Sequence, residues 1–181
     1  MPNWCNNALT INEDSNDSIL DVLKDYLNEK GELSFEKILP IPDELKNTIS
    51  PTPKDADPAI GKELIKKYGS DNWWDWCVSN WGTKWDADVN HSDKSYISFT
   101  TAWSPPIGIV KTLSKLTGKE FRLTYIEEGM DFCGEYFSYP NWLKNHDHEF
   151  SPIKDAPDTL KEELCGEEWT CEDEEDKNEI N

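Results

Sequence analysis

Four groups of residues have types and spacings that chemistry uses. Segment 80–87, NWGTKWDA, places Trp81 and Trp85 around Gly82 and Lys84. Two indoles and an ammonium in that order can stack on a base or hold a phosphate, a use in which each stacked ring contributes about 1–3 kcal/mol. Trp73, Trp74 and Trp76 fall at nearly helical spacing and supply large apolar area for a partner. His146, Asp147, His148 and Glu149 offer metal-ligating atoms, and Glu127, Glu128 and Asp131 offer carboxylates for an acid and base pair.

Each group has a plainer reading. Tryptophans at core periodicity are more often packing than ligand contacts, so a structural role for Trp81 and Trp85 is preferred and a ligand pocket of Trp81, Lys84 and Trp85 is the alternative. A zinc site needs three or four convergent donors, and beyond His146 and His148 only His91 remains to help, so no metal or other cofactor is expected. The sequence has no nucleophile elbow, no phosphate-cradling glycine loop and no cysteine close to a histidine, which argues against an enzyme. Nothing selects Glu127, Glu128 and Asp131 from the many other acids.

Charge narrows the partner. Against 37 acidic residues stand 18 lysines and arginines, a formal net charge of -19 over 181 residues. Such a surface repels phosphate backbones, so direct nucleic-acid binding is not expected. Solubility is the plain explanation; the sharper one is that carboxylates imitate nucleic-acid phosphates in a basic groove of another protein. The five cysteines are odd in number and lack a C-x-x-C pair, which fits reduced thiols in the cytoplasm. No window approaches the roughly 18 consecutive apolar residues of a membrane span, and no basic-then-apolar leader opens the chain.

The elements that must position these groups follow from periodicity. Residues 3–12 alternate as a strand, and from Ile19 the residues Val22, Leu23, Tyr26 and Leu27 mark one helical face. Residues 33–41 read as extended, ending at Pro40 and Pro42. Helical stretches at 58–68 and 71–80 complete an insertion over about residues 32–80. Residues 83–91 and 95–103 then alternate as a hairpin, with Trp85, Ala87 and Val89 on the inward face of the first strand. Ser104, Pro105 and Pro106 provide a cap and a rigid start for a helix that stops at Gly118. Strands carrying Phe121, Leu123 and Tyr125, and then residues 132–137, close the domain. This order is the split βαβ arrangement of an α+β, ferredoxin-like domain: an antiparallel sheet with two helices on one face. The domain is expected over residues 1–140. Residues 141–181 are expected to be an acidic C-terminal extension, partly flexible, with the run Glu172, Asp173, Glu174, Glu175 near its end.

Four segments carry a resemblance: MPNWCNNALTI at the start, FEKILPIPDEL at 35–45, NWGTKWDA at 80–87 and FTTAWSPP at 99–106. In these the chain resembles the YubB-type ferredoxin-like family of bacteriophages and plasmids, over about residues 1–140. The resemblance implies the fold and a mobile-element setting and carries no activity. Joined to the charge and the missing catalytic groups, it gives the functional expectation: a phage or mobile-element accessory protein in the bacterial cytoplasm. That protein binds a host protein with a basic surface and inhibits it, plausibly a defence complex of the anti-CRISPR or anti-restriction type. Trp73, Trp74, Asp86, Asp88 and Glu172 to Glu175 are the candidate partner-binding residues. A nucleotide or small-ligand module and a structural or assembly protein are the alternatives.

Overall fold

Alternation along the strands decides which side of the sheet is covered. In the computed structural model, residues 3–11 and 17–165 are described. Six strands, β1 (Trp4–Ile11), β2 (Asp88–Ser92), β3 (Tyr96–Ala102), β4 (Phe121–Glu127), β5 (Phe132–Ser138) and β6 (His146–Phe150), form one sheet in the order β2-β3-β1-β4-β5-β6. Every pairing is antiparallel. The four strands β2-β3-β1-β4 have the ferredoxin-like order, and β5 and β6 extend the sheet beyond it. Cys5, Leu9, Ile97, Phe99, Phe121, Leu123 and Tyr125 point to one face, where all are buried. Burying side chains of this size stabilises by roughly 1.5–3 kcal/mol each.

Two helices outside the insertion cover that face, and Phe35, Ile38, Leu45, Trp76 and Cys77 of the insertion join the same core. The helix α1 (Ile19–Leu23) buries Ile19 and Leu23, and a tight turn over Lys24–Tyr26 follows it. The expected helix through Leu27 is therefore shorter and tightens before its end. Further on, α6 (Ile107–Thr117) buries Ile109, Val110 and Leu113 and ends on Gly118 in the left-handed conformation. Pro106 precedes α6 without a side-chain cap. Ser104, expected to cap it, donates its hydroxyl to the Gly82 carbonyl instead, at 2.6 Å.

The insertion holds four short helices: α2 (Phe35–Ile38), α3 (Asp43–Lys46), α4 (Pro58–Tyr68) and α5 (Trp73–Asn80). Asp57 caps α4 through the Ala59 N–H, and Asn72 caps α5 through the Asp75 N–H. The expected extended stretch at 33–41 is thus corrected: its middle is helical, because Asp86, far along the chain, accepts the N–H groups that open α2. The strand expected from residue 83 starts only at Asp88 for the same reason. Residues 84–87 leave the sheet so that Asp86 can reach α2.

Past Pro140, regular structure continues through the described residues to 165. The strand β6 pairs with β5, and α7 (Asp158–Cys165) crosses the face of the sheet opposite α1 and α6. There Ile153, Ala156 and Leu160 pack on Ile126 and Cys133 as a second small core. Residues 141–165 therefore belong to the same folded body, and the run Glu172 to Glu175 lies outside the described residues. Among the described residues no helix is long and apolar enough to cross a membrane.

Candidate functional site

The four motif segments of the sequence meet around one end of β1 and β3. Trp81 is the inner member of this assembly. It is 3% exposed, sits edge-on to Phe35 and Trp76 with ring centres 5.8 Å and 6.1 Å apart, and donates its indole N–H to the Leu39 carbonyl at 2.8 Å. The ligand pocket drawn from Trp81, Lys84 and Trp85 is thereby corrected, because a buried indole with its donor satisfied has nothing to offer a ligand.

The chain turns outward immediately after Trp81 because two backbones touch. At Gly82, φ is +92°, and a Cβ there would stand 2.8 Å from the Pro105 carbonyl oxygen. At Gly108, a Cβ would collide with the Asn80 carbonyl oxygen. Only glycine permits this closeness between the 80–83 turn and the start of α6. Thr83 is buried and donates to the Ala102 carbonyl, and Asn7 binds Thr101 Oγ1 at 2.9 Å, which in turn donates to the Ser104 carbonyl. These buried polar contacts tie β1, β3 and the turn into one unit.

On the outside of that unit stand three indoles. Trp4, Trp85 and Trp103 are 46%, 40% and 38% exposed. The Lys84 ammonium lies 4.2 Å from the Trp85 ring centre and 5.6 Å from that of Trp103, while Trp4 and Trp85 are 6.2 Å apart. Trp103 has φ of +67°, a left-handed conformation that disfavours any side chain, and its N–H donates to the Asn3 carbonyl. Backbone strain of this kind is held by the surroundings and concentrates at functional positions. Trp85 was expected on the inward strand face; it precedes the strand and faces solvent. Trp4 and Trp103 were not singled out from the sequence. The one signal pointing to them was their place in two of the recognised segments.

The remaining sequence candidates separate. Asp86 is bound to its own fold: Ser34 Oγ donates to it at 2.9 Å and the Phe35, Glu36 and Ala87 N–H groups do so as well. Its place among freely presented carboxylates is corrected on that ground. Asp88 is exposed at the start of β2. Trp73 packs against the core, Trp74 is half-buried and Trp76 is buried. The helix α5 turns this cluster largely inward, so Trp73 and Trp74 are not free-standing anchors.

The histidine and carboxylate run is split by strand geometry. His146 and His148 point to one face of β6 and Asp147 and Glu149 to the other, since side chains alternate. Asp147 accepts the Tyr125 hydroxyl at 2.8 Å, and His146 stacks on Phe137 at 4.7 Å. Among the described residues, no group of three or more His, Cys, Asp or Glu is arranged to hold a metal ion. Of the three carboxylates considered for acid and base work, Glu127 is buried and accepts the Gly129 and Met130 N–H groups, and Asp131 accepts the Ile153 N–H. Both shape turns.

Residues 81–149 match the family model described as the ferredoxin-like domain in Api92-like protein. The match takes in β2 to β6 with α6, and it includes Trp85 and Trp103. The crystal structure of a protein api92 from Yersinia pseudotuberculosis is similar at 16% identity, over 44% of this chain and 30% of that one, with a TM-score of 0.36. The chain thus aligns with less than a third of that protein's length. No curated protein matches.

Proposed function

We propose that this chain is a binding module that docks on a protein presenting basic groups around an apolar pocket, and that it thereby keeps nucleic acid from that protein. The observation that carries the reading is the patch of Trp4, Trp85 and Trp103 around Lys84. Three partly exposed indoles on one surface offer the kind of anchor that dominates binding energy at protein interfaces. The net charge of -19 supplies the second half of the recognition. It steers the chain toward a basic partner and makes association salt-dependent. The YubB-type resemblance supports placing such a module in a bacteriophage or plasmid, acting on a defence complex of the bacterial host.

The test is affinity capture by tagged protein from nuclease-treated bacterial lysate, run beside the Trp85→Ala and Trp103→Ala variants. The reading expects a nucleic-acid-binding protein that is released by added DNA or by salt and is lost with either variant. Capture that survives both substitutions, or a captured protein that DNA does not displace, rejects it.

A further inference from the structure

The helix α4 is closed at both ends and yet buries none of its residues. Asp57 caps its first turn through the Ala59 N–H, and Gly69, in the left-handed conformation, closes the last turn with its N–H on the Ile65 carbonyl. Its apolar residues Ile60 and Leu64 share one side. Leu64 is half-buried against the main core, but Ile60 is 58% exposed and Ile49, on the preceding segment, 66%. Ile65 and Val78, also in the insertion, are exposed as well. A helix this short draws its stability from packing an apolar face, so a stripe left open is a surface for another chain.

Two hollows flank this stripe. One, of about 280 Å³, lies between α4 and residues 47–57 and is lined by Ile49, Pro53, Ile60 and Leu64 with Asp57 and Asp71. The other, of about 300 Å³, lies between α4 and α5 and is lined by Ile65 and Val78 with Asp71 and Asp75. Asp71 borders both and joins them. The Thr48 hydroxyl accepts the Trp73 N–H at 2.9 Å and donates to the Leu45 carbonyl at 2.6 Å, which fastens the start of the 47–57 segment to α5. The buried Asn72 amide donates to Asp71 at 2.8 Å and to Asp75 at 2.7 Å and so holds the two carboxylates together. Charge selects the occupant. Three carboxylates border the hollows, and among the described residues no lysine or arginine does. Lys62 and Lys66 stand across α4 from Ile60 and Leu64, and Lys67 is bound to Glu44 at 2.8 Å. A second copy of a chain with net charge -19 would bring like charge to like, whereas a cation beside an aliphatic side chain meets both halves of the surface.

We infer that this face of the insertion docks a basic amphipathic segment of another protein. An aliphatic side chain of that segment fills the hollow of Ile49 and Ile60, and an arginine or lysine beside it pairs with Asp71 and Asp75. The site is distinct from the Trp4, Trp85 and Trp103 patch and does not depend on the function proposed for that patch.

The test is fluorescence anisotropy of the full chain with a short labelled peptide of leucine, alanine and arginine whose leucines fall at helical spacing. Beside it run one peptide with glutamate in place of arginine and one with serine in place of leucine. The leucine and arginine peptide should bind with micromolar affinity, and each of the others about tenfold or more weakly. Ile60→Ser and Asp71→Asn should each weaken its binding by about tenfold. Glu149→Gln removes the same charge from β6, and Trp85→Ala truncates the separate patch; both should leave the affinity unchanged. Because Ile60 is exposed, Ile60→Ser should keep the parent's urea midpoint, which separates lost docking from lost folding. Affinity unchanged in Ile60→Ser overturns the proposal, as does a loss in Glu149→Gln equal to that in Asp71→Asn. So does a dimer of the parent chain in sedimentation equilibrium that Ile60→Ser abolishes, since it would give the face to a second copy.

Discussion

Lys84 holds its ammonium 4.2 Å from the ring centre of Trp85, at the solvent side of a turn whose inner side is closed by Trp81. Two tryptophans four residues apart thus have opposite fates. Trp81→Ala should destabilise folding by about 3–5 kcal/mol, the range for removing a buried large aromatic. Trp85→Ala should leave stability within about 1 kcal/mol of the parent, since a partly exposed ring loses little on truncation. It should also weaken partner binding by about 2 kcal/mol or more if the ring is an anchor. Urea denaturation of both variants checks the first contrast; an equal loss in the two would return Trp85 to the core.

Trp103 makes a sharper prediction because its backbone is left-handed, with φ of +67°. Glycine adopts this conformation freely, whereas alanine does not. Trp103→Gly should therefore be more stable than Trp103→Ala by about 1 kcal/mol. The midpoints of urea unfolding decide it, and an alanine variant equal to or better than the glycine one would contradict the conformational argument.

Arg122 fastens α7 to the sheet. Its two terminal nitrogens bind the Glu163 carboxylate at 2.8 Å each, while its Nε binds Glu135 at 2.9 Å. Burial alone would lower the Arg122 pKa, but the two carboxylates outweigh it and the net direction is upward. Because Glu163 is 42% exposed, solvent screening keeps the net contribution of that pair near 1 kcal/mol. Glu163→Gln should raise hydrogen exchange across residues 158–165 and leave β1 and β3 unchanged. Arg122→Ala should do so more strongly, because it also removes the bond to Glu135. Unchanged exchange in both would mean that Leu160 and Ile153 hold α7 by themselves.

Alkaline pH should loosen the fold. Burial pushes the Cys5 and Cys77 thiols up to about 12 from an ordinary value of 9.0. The folded state therefore keeps protons that the unfolded chain releases first. The stabilisation is complete below about pH 9 and disappears as pH rises toward 12. Burial also raises Tyr125, with the Asp147 carboxylate adding to it, in the same direction. The urea midpoint should fall between about pH 8 and about pH 10.5, and less steeply in Cys77→Ala. Native Cys5 and Cys77 should resist a thiol reagent until urea is added. A flat stability profile across that interval would refute the assignment.

The sheet was legible because the face that carries the main core reads as alternation: Cys5 and Leu9, Ile97 and Phe99, Phe121 and Leu123. The strand β6 was not legible for the converse reason. His146, Asp147, His148 and Glu149 are all exposed, so burial leaves no period-two mark on them. Residues 158–165 gave only a weak apolar stripe, and their partner face on Ile126 and Cys133 exists only once the sheet is formed. The aromatic patch was half legible. Trp85 and Lys84 stood out, but nothing local says that Trp81 goes in while Trp4 and Trp103 stay out.

The sequence by itself determined the ferredoxin-like order of strands and helices, because hydrophobic period and turn chemistry are local properties that each segment carries alone. It also determined the acidity of the surface, which is a sum over residues and needs no geometry. Tertiary structure decided what depends on distant partners. Asp86 became a cap for α2, and Arg122 became a clamp on Glu163. Three segments distant in sequence brought Trp4, Trp85 and Trp103 together around one lysine. A side chain's role follows from what it meets, and hydrogen bonds, ring contacts and exclusion from water act over a few ångströms whatever the separation along the chain.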